Sequence, residues 1–271
     1  IKDKVFRDVS LSWNNSLATT EKDTVDDLTY FKSYIYQGGE LEELKVKAGK
    51  EKTKSFNGIT NWGAIRTKYF ICALIPESPQ GIRSASLAGK NENYENYSFS
   101  FSFDGYAERT SFTLYLGPLE YDRIKKLDVE LEKVMDFGWA FIRPISKGVL
   151  FTLKRMHVYI PNYGFVLILF SVLVKILVFP LTKKSYQSTS AMQQLQPEIT
   201  ALREKHKNNP QKLNQATMQL YKEKGVNPLG GCFPMLLQMP LLFALFIVFR
   251  TTIELRNEPF VFWIKDSFGP R

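Results

Sequence analysis

The sequence predicts an α+β membrane protein, in which an antiparallel β-sandwich is followed by membrane-spanning helices. Three observations predict this fold class. In the first half, short runs alternate between polar and apolar residues, as in "YSFSFSF" over residues 97–103. In the second half, apolar residues form two long blocks, at residues 164–182 and 229–249. A loop with eight lysines and arginines against three glutamates separates these blocks.

The overall composition limits the class of partner. The chain has 271 residues, enough for one large domain or two smaller ones, and a net charge of +9 that favours an anionic lipid surface or a polyanion. Nucleic acid is the weaker choice, because the basic residues are spread along the chain and no nucleic-acid-binding signature is present. Cys72 and Cys232 are too few for a disulfide framework, and His157 and His206 are too far apart to suggest a metal site.

Residues 1–133 form the predicted sandwich. Alternation resumes at residues 111–117 after a turn signal at Asp104 and Gly105, so we expect a hairpin or a meander there. Runs beginning at Thr29 and Ala64 are rich in aromatic and branched residues, which favours further strands. The aromatic residues could form a binding surface for sugar or protein, but a core role is the favoured interpretation. A helical patch is expected over residues 121–135, where four apolar residues recur at helical spacing: Ile124, Leu127, Leu131 and Val134.

This first module lacks the motifs of known catalytic sites. It contains no glycine-rich phosphate loop, no nucleophile elbow and no metal-ligand spacing. We therefore expect a binding or spacing role, no enzyme activity, and no metal or other cofactor.

The two apolar blocks have the length of membrane spans. At 1.5 Å per residue they measure about 28 and 31 Å, close to the roughly 30 Å of a hydrocarbon core. The basic loop between them is expected in the cytoplasm by the positive-inside rule, which places the first module outside. The positions of aromatic residues support this orientation, because aromatic side chains favour the membrane interface and several flank the expected outer ends of the spans: Tyr159, Tyr163, Phe260, Phe262 and Trp263.

The loop over residues 183–228 is predicted to be a helical hairpin. Its first helix has apolar residues from Met192 to Leu202 and its second from Leu213 to Leu220. Asn208, Asn209 and Pro210 separate the helices, and Gly225 can cap the second. Its basic residues suit docking on anionic lipid or on an acidic partner, although a solvated loop explains them equally well.

Residues 134–160 are a predicted linker that contains an amphipathic helix. Over residues 137–155 the sequence mixes aromatic and aliphatic side chains with four cations, which favours a helix lying in the outer membrane interface over a third span.

Lys175 places a full charge inside the first span, and Arg250 lies at the outer end of the second. Lys175 can bend its side chain toward the headgroups, or it can lie in a polar recess. Ser171 lies one turn earlier on the same helix face, and Gln238 is at a similar depth in the antiparallel second span. These neighbours favour the recess, although Ser171 and Gln238 could instead bind the helices together. Arg250 needs only a surface pair with Glu254.

Three segments carry a resemblance to a known family. They are "PLTKKSYQSTSAMQQLQPEITALREK" from Pro180, "NPLGGCFPMLLQMP" from Asn227 and "ELRNEPFVFWIKD" from Glu254. Together they are similar to the YidC/Oxa/Alb family of membrane protein insertases. The sandwich and its exit, "YLGPLEYDRIKKL", resemble the periplasmic domain of the Gram-negative YidC branch, which is a supersandwich in relatives. The match is strong from Asp136 onward and looser before it.

The resemblance implies an insertase core over residues 161–271 of a multi-pass protein of the bacterial inner membrane. Its implied partners are nascent membrane protein clients, the ribosome, the Sec translocon and anionic lipids. Relatives have a hydrophilic groove with one cation, to which Lys175 corresponds, and Ser171 corresponds to a polar residue of that groove. The second span, with Phe233, Pro234, Gln238 and Met239, corresponds to the slide along which clients leave, and the hairpin corresponds to a recruiting loop. By its depth beside Lys175, we also assign Gln238 to the groove.

The sequence departs from the family in two respects. Gram-negative members commonly have arginine at the position of Lys175, so the charge is kept but bidentate hydrogen bonding is not. Relatives have five core helices and an N-terminal anchor, whereas this sequence has two core spans. We therefore expect that it is part of a longer protein.

Two other functions fit parts of the layout. An envelope sensor with an outer ligand-binding domain explains the two modules, but it gives no reason for Lys175 and Gln238 at matched depth. A transporter explains a charge in a span, but a lysine without a carboxylate makes a poor proton relay.

Overall fold

A computed structural model of the chain describes residues 8–92, 95–104, 110–207, 209–227 and 233–256, without the side chains of residues 8, 104, 233–235 and 237. The chain forms two compact units. Among the described residues, the first unit consists of residues 8–136 and 250–256, and the second of residues 137–249.

Two antiparallel β-sheets form the first unit, as the alternating pattern predicts. The strands are β1 Asp8–Trp13, β2 Lys32–Gln37, β3 Glu40–Leu44, β4 Lys50–Asn57, β5 Thr60–Arg66, β6 Phe70–Pro76, β7 Ile82–Asn91, β8 Glu95–Asp104 and β9 Phe112–Pro118. One sheet has the strand order β1-β8-β7-β4 and the other β3-β2-β5-β6-β9. A short helix, α1 (Thr24–Thr29), precedes β2.

The core between the sheets is aromatic. Tyr97, Phe99 and Phe101 alternate along β8 with partly exposed serines, and all three are buried against Ile35 and Ile65 of the opposite sheet. Successive strand residues point to opposite faces, so this alternation buries one face of β8. The interpretation of the aromatic residues as core is confirmed.

The predicted hairpin between β8 and β9 is wrong. β8 pairs with β1 and β7, whereas β9 pairs with β6 in the other sheet. Both edges of β8 are already hydrogen-bonded, so no edge is left for β9. Phe112 of β9 instead packs across the sandwich on Phe101 and Phe103, with ring centroids 6.1 and 5.6 Å apart. The predicted turn residue Gly105 lies outside the described residues.

A helical segment covers the outer face of the five-stranded sheet. It consists of α2 (Tyr121–Lys125) and a 3-10 helix, Leu131–Val134, rather than one continuous helix. Asp128 and Glu130 have φ angles of 54° and 59°, which are incompatible with a continuous right-handed helix. The four predicted apolar residues nevertheless pack on this face, where Trp62 donates a hydrogen bond of 2.8 Å to the carbonyl oxygen of Val129.

The second unit is helical. Its helices are α3 Arg143–Tyr159, α4 Tyr163–Gln194, α5 Gln196–Lys205, α6 Pro210–Glu223 and α7 Phe233–Thr251. One face of α3 is buried through Val149, Leu150 and Leu153, whereas Phe151 and Val158 are exposed. This arrangement fits the predicted amphipathic helix, which begins at Arg143 rather than at Phe137.

The helix of the first span continues beyond the apolar block. α4 has 32 residues, about 48 Å at 1.5 Å per residue, and ends at Gln194. Met192 therefore belongs to α4 and not to the hairpin, which corrects the predicted start of the first hairpin helix. Pro197 lies in the first turn of α5, and its ring nitrogen cannot donate a hydrogen bond to Gln193, so α4 ends there.

The predicted hairpin is formed by α5 and α6. Leu195, Ile199 and Leu220 form its buried contact, and Lys224 pairs with Glu198 at 2.9 Å. Gly225 follows α6 with a φ of +66°, a conformation that glycine adopts without strain, so its predicted capping position is confirmed. Asn208 lies outside the described residues.

Among the described residues, α4 alone is both long and apolar enough to cross a membrane. Its most apolar stretch of 18 residues has a mean hydropathy of 2.6. The described apolar part of α7, Gln238–Thr251, is shorter.

Candidate functional site

α4 presents polar residues at helical spacing on one face. Ser171, Lys175 and Thr182 are separated by four and seven residues, so they lie above one another along about three turns. Asn162 caps the helix by accepting a hydrogen bond of 3.2 Å from the backbone N–H of Phe165. The cap fixes the start of α4.

A groove of about 480 Å³ lies between this face and α7, within the second unit. The structure brings together the three residues that the sequence predicts for a hydrophilic groove, namely Lys175, Ser171 and Gln238. The other lining residues are Phe170, Val174, Val178, Phe179 and Thr182 of α4, with Leu245 and Phe249 of α7.

The hydroxyl groups in the groove donate to their own helix. Ser171 donates to the carbonyl oxygen of Leu167 at 2.8 Å, and Thr182 donates to that of Val178 at 3.1 Å. These bonds satisfy each hydroxyl proton and leave the oxygen lone pairs as acceptors. Ser171 and Thr182 therefore make the groove polar without adding a free donor.

The donors of the groove come from Lys175 and Gln238. Both residues are exposed, and neither forms a hydrogen bond or an ion pair with another residue in the described part of the chain. An ammonium has three donors and an amide has two, so the pair can bind a carboxylate or a carbonyl oxygen of another molecule.

Thr182 is the groove residue that the sequence interpretation missed. In the sequence it marks the end of the first apolar block. Its position seven residues after Lys175, two turns along the same face, is the signal that could have identified it.

Of the three residues predicted for the slide, the structure describes the side chain of Met239 alone. Met239 is 37% exposed and does not line the groove, because one residue along a helix turns the side chain by about 100° away from Gln238. Phe233 and Pro234 lie in α7, but their side chains are outside the described residues.

His157 and Cys72 do not line the groove. His157 stacks on Tyr163 with ring centroids 3.8 Å apart, and Cys72 is buried in β6. Burial raises the pKa of the Cys72 thiol to about 11, so this thiol is protonated at neutral pH. Among the described residues, no group of three histidine, cysteine or acidic side chains is arranged to hold a metal ion. Cys232 lies outside the described residues.

Comparison with family models gives two matches. A model described as YidC periplasmic domain matches residues 5–149, and a model described as 60Kd inner membrane protein matches residues 155–268.

Curated relatives match along most of this chain. Proteins named membrane protein insertase YidC are 40% identical over 268 residues in Chlorobaculum parvum, 41% over 272 residues in Chlorobium luteolum and 42% over 270 residues in Chlorobium limicola. In each case the match covers 96% of this chain and 46% of the relative, so the chain spans about half the length of these relatives.

Proposed function

The chain belongs to the YidC family of membrane protein insertases, and on this basis we propose that it inserts nascent hydrophobic segments into the membrane and helps them fold. Members of the family are bacterial inner membrane proteins, and the β-sandwich of this chain is periplasmic. We propose that residues 1–133 form the periplasmic domain, residues 134–160 a linker and residues 161–271 an insertase core.

The observation that carries the proposal is the groove between α4 and α7. It contains one cation, one amide and two hydroxyl oxygens beside apolar side chains such as Val174 and Leu245. A polar segment of a client that enters it crosses less hydrocarbon than it would in an intact bilayer, which lowers the cost of translocation.

Lys175 attracts an acidic segment of the client. The attraction between two unit charges grows as the local dielectric constant falls, so it is stronger in a groove flanked by apolar side chains than in bulk water. Since Lys175 has no carboxylate partner among the described residues, its charge is available for the client.

Release into lipid requires no chemical step. A client segment rich in leucine, isoleucine, phenylalanine or valine is favoured in the bilayer by its own hydrophobicity. In this mechanism the exposed Met239, with Phe233 and Pro234, contacts the departing segment. No cofactor is needed.

The partners follow from the same mechanism. The cytoplasmic hairpin, with exposed Arg203, Lys205 and Lys212, receives clients from the ribosome and contacts anionic lipids. The protein works alone or beside the Sec translocon. It has no role in recognising a nucleic acid sequence.

The test is charge reversal at Lys175 in the intact protein. We expect Lys175→Arg to retain most insertion of a client with an acidic N-terminal tail. Lys175→Glu should reduce it at least about tenfold, which corresponds to about 1.4 kcal/mol. Insertion is measured by protease protection of the translocated tail.

Two controls make the result specific. Lys183→Glu changes a cation on the same helix that does not line the groove, and it should reduce insertion less than about twofold. A client with a neutral tail should be inserted equally by all variants. Equal insertion of the acidic client by Lys175→Glu and Lys175→Arg contradicts the electrostatic role.

A further inference from the structure

The segment that follows the second span is part of the periplasmic unit. Residues 250–256 belong to the same compact unit as the β-sandwich, more than 220 residues from α1 in sequence. Arg250 forms an ion pair with Asp26. The sequence predicts only Glu254, four residues further along the chain, as a partner of Arg250. At the other end of the segment, Arg256 Nε lies 2.8 Å from Glu21 Oε1.

Hydrogen bonds to the backbone reinforce both ends of the segment. Arg256 Nη2 donates to the carbonyl oxygen of Thr20 at 3.1 Å, and the Tyr69 hydroxyl donates to that of Arg250 at 3.4 Å. Between the two arginines, Thr252 and Leu255 are each only 2% exposed. The segment is therefore held by buried side chains as well as by charges.

Aromatic rings of the periplasmic unit support both guanidinium groups. The Arg250 guanidinium carbon lies 5.6 Å from the ring centroid of Tyr30, and that of Arg256 lies 5.8 Å from the ring centroid of Tyr69. Guanidinium groups at these distances are attracted by the negative face of the ring.

The acidic partners are more shielded than those of an ordinary surface pair. Glu21 is 9% exposed and Asp26 is 24% exposed. Asp26 is also 2.9 Å from Lys68 Nζ, so one carboxylate is shared by two cations. Burial alone raises the pKa of Asp26, but the hydrogen bonds and charges of Lys68 and Arg250 outweigh it and lower the pKa below the usual value. Asp26 is therefore charged at neutral pH.

No free linker separates this segment from α7. The helix ends at Thr251, one residue after Arg250, and Phe249 lines the groove. We propose that residues 250–256 are a strap through which the periplasmic domain holds the outer end of α7 and so positions the helix that forms one wall of the groove. The strap would hold α7 in the same way whatever molecule the groove binds.

The test removes the negative charges of Asp26 and Glu21 and measures the amide hydrogen exchange of the strap. In the intact protein in lipid nanodiscs, amide hydrogen exchange of residues 250–256 is compared between wild type and Asp26→Asn, Glu21→Gln and the double variant. We expect the double variant to exchange at least about tenfold faster in this segment. Exchange in β7 and β8 should stay unchanged, which shows that the sandwich remains folded.

Glu43→Gln is the matched control. It removes an ion pair with Lys32 in the same unit, and Glu43 is 53% exposed. It should leave exchange of the strap unchanged. Unchanged exchange of residues 250–256 in the double variant overturns the proposed strap, and so does an equal increase in the Glu43→Gln variant.

A second measurement addresses the position of α7. Spin labels at Leu173→Cys and Leu242→Cys, both exposed side chains, report the distance between α4 and α7 after Cys72 and Cys232 are replaced by alanine. We expect the double variant at Asp26 and Glu21 to broaden this distance distribution at least about twofold. An unchanged distribution, with exchange of the strap accelerated, overturns the positioning role.

Discussion

Two cations on α4 and α7 have opposite surroundings. Arg250 forms an ion pair with Asp26, which also pairs with Lys68, whereas Lys175 has no carboxylate partner among the described residues. A lysine near the centre of a span costs roughly 2.5 to 3.5 kcal/mol on insertion scales. In the proposed mechanism, a client carboxylate is the transient partner of this charge.

Cys72 gives a prediction at the same scale, about reactivity and pH. Its pKa of about 11 when folded lies above the ordinary value near 8.5. Between these values the unfolded chain loses the thiol proton while the folded chain keeps it. The contribution of Cys72 to the free energy of unfolding is therefore fully present below about pH 8.5 and decreases as the pH rises toward 11.

The measurement is labelling with a thiol reagent at pH 8 in a Cys232→Ala background. We expect Cys72 to react at least about 100-fold more slowly in the folded protein than in denaturant, because it is buried and protonated. The pH dependence is checked by denaturation of the Cys72→Ala variant. Its free energy of unfolding should change less between pH 9 and 11 than that of the protein with Cys72. Fast labelling of the folded protein would contradict this burial.

The common position of three groove residues could be predicted from the sequence. Helical spacing places Ser171 beside Lys175, and an equal depth in the antiparallel second span places Gln238 near them. The partner of Arg250 could not be predicted from the sequence, because Asp26 is 224 residues away and only tertiary folding brings the two residues together.

At the scale of elements, close packing in the sandwich depends on Gly63 of β5. A Cβ atom at this position would lie 2.7 Å from Phe99 Cδ2 and 2.9 Å from Phe101 Cζ, both in fully packed rings. We expect Gly63→Ala to destabilise the periplasmic unit by about 1–3 kcal/mol, measured as the midpoint of denaturation followed by the fluorescence of buried Trp62.

Gly81 of the same unit provides the matched control. A Cβ atom there would meet no other atom within 4 Å. Gly81→Ala should therefore leave the denaturation midpoint unchanged. Equal effects of the two substitutions would show that the core packing is described incorrectly.

The element predictions failed where competition between elements decided the outcome. The alternation of β8 and β9 correctly predicted two strands, but not that β1 and β7 occupy both edges of β8. The error at Met192 has a different cause, because apolar spacing assigns it to the hairpin although Pro197 shows that α4 continues to Gln194. Periodicity predicts which face is buried, but it does not identify the partner.

At the scale of the whole molecule, the sequence predicts two units that differ in secondary structure and in environment. The first has an aromatic core between two sheets, and the second has apolar helices with a polar groove. The change of hydrophobic period from two to 3.6 residues could be recognised in the sequence, whereas the volume and lining of the groove required the structure.

The most direct test of the central claim places a photo-cross-linker in the intact protein at Val178, which lines the groove, or at Val172, which is 50% exposed and does not. Ribosome-bound clients with an acidic N-terminal tail are then irradiated. We predict cross-links from Val178 to the tail at least about fivefold more often than from Val172. Equal cross-linking from both positions, or none from Val178, would contradict entry of the client tail into the groove.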